Sequence, residues 1–295
     1  MPETGSSPPL APGLYIVATP IGNLEDITLR GLRVLRGADR IACEDTRQTR
    51  KLLDRYGIFT PVISSHEHNE TDRSRELLDQ LRQGARIAVV TDAGTPGISD
   101  PGMILAAAAI EAGVAVYAIP GPSALLAALV ASGLDTERFF FAGFLPPRKG
   151  ARKTALEELA GSLTRPTTLV LYEAPHRILD TLEDVQAVWG ADCQVALARE
   201  LTKLHEEYIR GKVREVREEM QVRGNLRGEM VLMIAARPPA NDAERGQASV
   251  RERLAELEKQ EGLSEKDALK RLARERGVAK SEVWRELQRE KARGR

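Results

Sequence analysis

The sequence predicts an α/β fold of two consecutive domains, the first built on a mainly parallel sheet and the second on a mixed one. Two patterns carry this reading. Through the first 120 residues, short and nearly continuous apolar runs alternate with helical patterns, as in a parallel sheet covered on both faces. Beyond that point the apolar runs follow one another with only two clear helices between them, 151–159 and 178–188, which points to antiparallel later strands.

The elements follow in order. LYIVAT (14–19) is a β-rich run, closed by a turn containing Pro20, Gly22 and Asn23 and followed by a helical pattern from about Thr28. RIACE (40–44) is the second strand, leading into a charged helix that ends near Tyr56. PVISS (61–65), RIAVVTD (86–92) and VAVYAIP (114–120) complete the first set, with helices between them. The run MILAAAAI (103–110) follows Pro101-Gly102, is too short for a membrane span, and reads as a buried helix. In the second half RFFFAGFL (138–145), TTLVLYE (167–173), CQVALARE (193–200), the stretch around 207–213 and EMVLMIAA (229–236) read as strands.

The expected boundaries are a disordered leader at 1–12, an N-terminal α/β domain at 13–122, a C-terminal α/β domain at 123–238 and a helical extension at 239–295. The leader, MPETGSSPPLAP, lacks the basic start and apolar core of a signal peptide, so a cytoplasmic protein is expected. In the extension, Ser264 and Asp267 have capping-box spacing ahead of an apolar stripe at Leu269, Leu272 and Ala273. Gly277 then closes that helix, and Ser281 caps another carrying Val283, Trp284 and Leu287. Two short helices around a glycine turn resemble a helix-turn-helix pair, which leaves open an RNA-docking unit or a packing or dimerisation appendage.

Composition narrows the classes little. The 43 Lys and Arg balance the 43 Asp and Glu, and the extension from Asn241 holds 15 basic against 12 acidic residues. Cys43 and Cys193 are 150 positions apart in apolar surroundings and read as two core thiols, with neither zinc spacing nor a disulfide framework. His66 and His68 in SSHEHNE have no evident third and fourth ligand, so no metal is expected.

The unusual chemistry lies just after strands, where ligands of open parallel sheets bind. ATPIGNLEDITLRG follows the first strand, TDAGTPGISDPG (91–102) the fourth, and PGPSA (120–124) the fifth, opening directly into a helix whose free N–H groups can receive a polar ligand edge. None is a Walker phosphate loop or a G-x-G-x-x-G fingerprint, and no G-x-S-x-G elbow occurs. LYEAPHR (171–177) and ARELTKLHEE (198–207) follow strands of the second half. If the domains face each other, these loops close a cleft suited to a cofactor and a second substrate.

Taken in order, TPIGNLEDIT, EDTRQTRKLL, SSHEHNE, VVTDAGTPGISDPG, IPGPSA, LYEAPHRI and ARELTKLHEE resemble a branch of the tetrapyrrole (corrin/porphyrin) methylase fold family. That branch methylates a cytidine 2'-hydroxyl in small-subunit (16S) ribosomal RNA. The resemblance runs from about Gly13 to Ala236. TPIGN (19–23) and AGTPG (93–97) depart from the GxGPGD-like and GGDP-like loops of tetrapyrrole-modifying relatives, which counts against a porphyrin substrate.

The resemblance implies S-adenosylmethionine folded in the interdomain cleft of a homodimer, with small-subunit RNA, in an assembled or partly assembled subunit, as partner. It places Pro20 at the cofactor, Asp92, Ala93, Gly94, Ile98 and Ser99 around its amino-acid and ribose parts, and Ser123 and Ala124 beside them. Tyr172, Glu173 and Leu201 would enclose the adenine, and Glu229-Met230 would approach the same pocket.

A ribose hydroxyl is a weak nucleophile, so a base or an orienting group should stand nearby. Lys203, Glu200, Asp45 and Glu173 are the catalytic candidates, and Arg47, His66 and Arg199 the substrate-binding ones. Arg47 and Lys203 could equally grip phosphate, and the acids could equally make salt bridges. Two rival readings stay open at this point: a small-molecule or protein methyltransferase of the same fold, and a non-catalytic RNA-binding module.

Overall fold

In the computed structural model, described for residues 9–66, 69–99, 102–224, 226–238, 254–255, 257–258, 263–275, 278 and 280–293, the apolar runs become two five-stranded sheets. The first holds β1 (Gly13–Val17), β2 (Arg40–Cys43), β3 (Val62–Ser64), β4 (Arg86–Val89) and β5 (Val116–Ile119), ordered β3-β2-β4-β1-β5. Every pairing in it is parallel. Helices α1 (Leu29–Gly37), α2 (Thr46–Arg55), α3 (Glu70–Arg82) and α4 (Met103–Glu111) make the crossovers. Two apolar clusters pack this sheet: one gathers Val17, Leu35, Ile41, Leu53 and Ala88, the other Leu14, Ala42, Leu77, Ile87 and Leu105. Both faces are therefore covered, which is why the strands read as unbroken apolar runs.

The second sheet holds β6 (Phe139–Phe144), β7 (Thr167–Glu173), β8 (Gln194–Arg199), β9 (Glu207–Lys212) and β10 (Met230–Ala236), ordered β6-β7-β10-β8-β9. Only β6 and β7 pair in parallel; β10 runs antiparallel to β7 and β8, and β8 to β9. Helix α5 (Ala124–Val130) packs Ala128 and Leu129 against Val170, Ala196 and Met233 of this sheet. Between α6 (Lys149–Ser162) and α7 (Ile178–Trp189), the fully buried Arg152 is held by Asp184 at 2.7 Å.

Several expectations are corrected. Helix α8 (Val213–Arg223) was not foreseen; it buries Val213, Val216 and Met220 and starts at Lys212, which offers no capping oxygen. Glu215 instead reaches back to accept the Lys212 N–H, at 3.1 Å. The alanine-rich α4 is not buried throughout: Leu105 and Ala109 are, but Met103, Ile104 and Ile110 are exposed. Residues 9–12, expected in a disordered leader, are tied down, since Leu10 packs on the first core and Ala11 O accepts the Tyr15 hydroxyl at 2.6 Å. Cys43 is buried, whereas Cys193 is only partly so.

The chain divides into two compact units, Met1–Glu158 with Pro166–Ala236, and Leu159–Arg165 with Arg237–Arg295. Both sheets fall in the first. In the second, α9 (Glu265–Glu275) and α10 (Lys280–Arg293) share a core of Leu254, Leu257, Leu269, Leu272, Val283 and Leu287. Ser264 Oγ accepts the Asp267 N–H at 3.3 Å and donates to its carboxylate at 2.7 Å, as the cap spacing predicted. Ser281 lies inside α10 instead of capping it, and Trp284 is half exposed instead of joining the apolar stripe. Gly277 and His68 lie outside the described residues. Among the described residues no helix is long and apolar enough to cross a membrane.

Candidate active site

The order of the first sheet decides which loops meet. β4, β1 and β5 are neighbours, so the segments after them emerge side by side at one edge. Thr19 and Gly94 stitch two of them with paired backbone hydrogen bonds, Thr19 N to Gly94 O at 2.8 Å and Gly94 N to Thr19 O at 3.0 Å. The third joins through Thr95 Oγ1, which donates to Pro122 O at 3.3 Å. Gly94 sits at φ +88°, a backbone state that glycine reaches without a Cβ penalty.

These loops form one wall of a cleft of about 640 Å³, within the range of cofactor sites. Ile21 contributes from the first loop, Ala93, Gly94, Thr95, Ile98 and Ser99 from the second, and Ser123 and Ala124 from the third. The opposite wall comes from the second sheet. Phe144, Tyr172, Glu173, Ala174 and Pro175 stand at the ends of β6 and β7; Glu200, Leu201 and Lys203 follow β8; Gly228, Glu229, Met230 and Val231 open β10. Because β10 runs antiparallel, its start lies at the same edge as the ends of β7 and β8.

The turn after β8 is the most constrained part of the cleft. Glu200 and Thr202 both have left-handed backbones, at φ 51° and 63°, which for residues other than glycine marks a place held by its surroundings. The Glu200 N–H donates to Glu229 O at 3.0 Å, and Thr202 Oγ1 accepts the Asn23 N–H from the first sheet's loop at 3.0 Å. Glycines allow two close approaches here. A Cβ on Gly22 would lie 2.5 Å from Lys203 Cγ, and one on Gly228 would lie 2.5 Å from Glu200 Cγ. The Lys203 ammonium donates to Glu200 Oε1 at 2.8 Å and to Glu229 Oε2 at 3.0 Å. Glu200 Oε1 also accepts the Glu229 N–H at 3.1 Å.

The hydrogen bond from Lys203 holds the Glu200 carboxyl below its ordinary range, with burial opposing and the Glu229 N–H assisting. Burial presses the Lys203 ammonium down, but its hydrogen bonds to Glu200 and Glu229, with their negative charges, together outweigh it, so Lys203 stays cationic above its usual range. Glu173, although predicted as catalytic, is 3% exposed and its oxygens are occupied. They accept Ala174 N at 2.8 Å and Thr181 Oγ1 at 2.5 Å and pair with Arg177 Nε at 3.2 Å. That carboxylate anchors the turn into α7.

Other predicted residues lie off the cleft wall. Asp45 caps α2, accepting Arg47 N at 2.7 Å and pairing with the exposed Arg47 guanidinium at 3.2 Å. That guanidinium, through its hydrogen bonds, holds the Asp45 carboxyl below its ordinary range. Asp92 turns toward it, taking the Asp45 N–H at 3.2 Å. His66 sits after β3, its N–H donated to Asn69 Oδ1 at 2.9 Å. The reason is the strand order, which puts β2 and β3 at the far side of the sheet from β1 and β5. Arg199 is directed at the β9 hairpin, on Glu207 at 2.5 Å and Arg227 O at 3.0 Å. Pro20 is buried behind the wall while its neighbour Ile21 reaches it. Ile21, Thr95, Ala174 and Pro175 belong to the strand-end loops that the sequence points to, whereas nothing in the sequence marks Phe144, Gly228 and Val231 as lining residues.

A two-walled cleft at adjacent strand ends, between a parallel and a mixed sheet, is the place where an α/β fold of this kind binds a ligand. The chain belongs to the tetrapyrrole (corrin/porphyrin) methylase family, whose model matches residues 13–217, and it is a methyltransferase that takes its methyl group from S-adenosylmethionine. It is 53% identical over 204 residues to the ribosomal RNA small subunit methyltransferase I of Halalkalibacterium halodurans, covering 68% of each chain. It is 47% identical over 244 residues to the protein of that name from Synechocystis, covering 83% of this chain and 86% of the other.

Solved structures share the fold at lower identity. A cobalt precorrin-4 methyltransferase aligns with a TM-score of 0.54 at 21% identity, over 75% of this chain and 93% of its own. A uroporphyrin-III C-methyltransferase of Thermus thermophilus, complexed with S-adenosylhomocysteine, gives 0.53 at 18%, over 75% and 96%.

The residues present fit the cofactor. Beyond its size, the cleft has apolar and aromatic surface at Ile21, Leu201, Phe144 and Tyr172 for a nucleoside, and hydroxyls at Thr95, Ser99 and Ser123 for its polar ends. Among the described lining residues the charged groups are Glu173, Glu200, Glu229 and Lys203, so carboxylates outnumber cations on the wall that a ligand with a positive sulfonium would face.

Proposed function

We propose that this chain methylates the 2'-hydroxyl of a cytidine ribose in small-subunit ribosomal RNA, in the cytoplasm. The observation that carries the reading is the 46–53% identity, over 204 to 244 residues, to proteins named ribosomal RNA small subunit methyltransferase I. When bound, S-adenosylmethionine supplies a methyl group on a positively charged sulfur, whose departure as a neutral thioether makes the transfer easy. The protein's part is chiefly placement of the two reactants in line.

The loops at Ala93–Ser99 and Ser123–Ala124 hold one side of the cofactor, and Tyr172 and Leu201 the other. Lys203 stands at the reacting hydroxyl as a fixed cation that orients it and stabilises charge on its oxygen. The hydroxyl oxygen held by Lys203 would receive the methyl group in exchange for its proton, which would leave to solvent, since Glu200 and Glu229 are engaged with Lys203. Arg47, exposed and away from the cleft wall, holds phosphate. Labelled S-adenosylmethionine incubated with purified small subunits should give one 2'-O-methylcytidine on nuclease digestion. Label in a base, or in a tetrapyrrole precursor offered in its place, would refute this reading.

We infer a homodimer as well, supported by the apolar side chains that α4, α5 and β6 turn outward: Met103, Ile110, Leu126, Val130, Phe139 and Phe140. Light scattering should give twice the 32.4 kDa chain mass, and Ile110→Asp with Val130→Asp should halve it.

The extension acts as an RNA-docking unit in this reading, with Lys266, Lys270 and Arg274 exposed on α9. Reversing all three to Glu should leave S-adenosylmethionine affinity unchanged and weaken binding to the small subunit. The loss should be greatest at low salt, since each lost phosphate contact lowers the salt slope by about one unit. Undiminished binding would assign the extension to packing.

A further inference from the structure

Lys203 is fixed at three points, more than a surface lysine needs. Its stem lies against Gly22, where a Cβ would come within 2.5 Å of Lys203 Cγ, so the first sheet's loop leaves the side chain no room to swing that way. Its head donates to Glu200 at 2.8 Å and to Glu229 at 3.0 Å. Glu200 is itself set by its left-handed backbone and by the Glu229 N–H. Glu229 differs in kind. Its side chain is 76% exposed, and among the described residues its ion pair is the one to Lys203. An exposed carboxylate at the mouth of a cleft, spent on a lysine that already has a carboxylate partner, has little value for stability.

We propose that Glu229 is a positioning residue: with Glu200 it clamps the Lys203 ammonium at the cleft wall, leaving the third N–H for the hydroxyl that reacts. An ammonium has three donors and no acceptor. Two are taken by carboxylates from the ends of two different strands, so the direction of the third is set by the protein and not by the substrate. The two carboxylates also decide what Lys203 can do. Held as a cation it cannot remove a proton; it can only orient an oxygen and stabilise charge developing on it. Among the described groups, Glu200 and Glu229 are the charged residues acting on Lys203, for Arg199 is drawn to Glu207 and Glu173 to Arg177. The inference rests on the proposed methyl transfer for its consequence, but the clamp itself can be measured without any RNA.

The test uses the full chain carrying Glu229→Gln, a nearly isosteric change at an exposed site. The first readout is reductive methylation of Lys203, followed by peptide mass spectrometry across pH. Only the neutral amine reacts, so the midpoint reports the ammonium's pKa. Loss of an opposite charge at hydrogen-bond distance should lower that midpoint by about one unit. The second readout is single-turnover methyl transfer to small subunits at saturating S-adenosylmethionine. The rate should fall by about tenfold at neutral pH. Its alkaline limb should move to lower pH, because Lys203 must keep its proton and now loses it earlier. Glu229→Asp should recover part of both.

An unchanged midpoint would overturn the clamp. A lowered midpoint with wild-type rate and pH profile would overturn its role in positioning. A lowered midpoint in a protein whose wild type labels no ribose would uphold the clamp and reject the substrate instead.

Discussion

Gly94→Arg is expected to abolish S-adenosylmethionine binding while the chain remains folded. Gly94 lies on the cleft wall with φ +88°, its N–H and C=O both spent on Thr19. A Cβ there would stand in ordinary contact with Ile21 Cγ2, at 3.4 Å, beside another lining residue, so a long charged side chain extends from the cleft wall itself. The left-handed backbone adds a local cost of about 1–2 kcal/mol for any residue with a Cβ. That is small beside the stability of a domain with two apolar clusters, so circular dichroism should show the native signature and a lowered Tm. Calorimetric titration should show no heat of binding. A variant that binds the cofactor with wild-type affinity would take the 91–102 loop out of the site.

Lys203→Ala is expected to lower single-turnover methyl transfer by about 100-fold or more at saturating RNA and cofactor, with RNA affinity held. The substitution strips the cation from the cleft wall and leaves Glu200 and Glu229 facing one another without it. A residue that only gripped phosphate would behave differently. Its loss would weaken RNA binding, reduce the salt dependence by about one unit and leave the bound-state rate intact. A wild-type rate in Lys203→Ala would remove Lys203 from the reacting oxygen whatever happened to affinity.

The strands were legible in the sequence because burial on both faces turns them into apolar runs. TTLVLYE at 167–173 is β7 residue for residue, and RIACE at 40–44 overshoots β2 by one. Helix α8 was missed although Val213, Val216 and Met220 are spaced for one buried face. Lys212 gives no start signal, and the preceding strand runs straight into it.

The site was legible as a set of loops and not as a set of contacts. Sequence order presents the segments after β1, β2, β3, β4 and β5 as equals, whereas the lateral order β3-β2-β4-β1-β5 brings three together and sends Asp45, Arg47 and His66 elsewhere. No local pattern encodes that order. Glu173 shows the other limit: a carboxylate at a strand end looks the same in sequence whether it is open to a ligand or, as here, engaged by Thr181, Ala174 and Arg177. Glu229 was legible only as a neighbour of the pocket, because the antiparallel sense of β10, which brings its first residues to the cleft, is a tertiary fact.

The central claim, ribose methylation of small-subunit RNA from this cleft, is tested most directly by mapping 2'-O-methyl groups in that RNA from cells with and without the protein. One 2'-O-methylcytidine should be reduced or lost in cells lacking it, restored by the wild-type chain and not by Gly94→Arg. A map unchanged by removal of the protein would contradict the account.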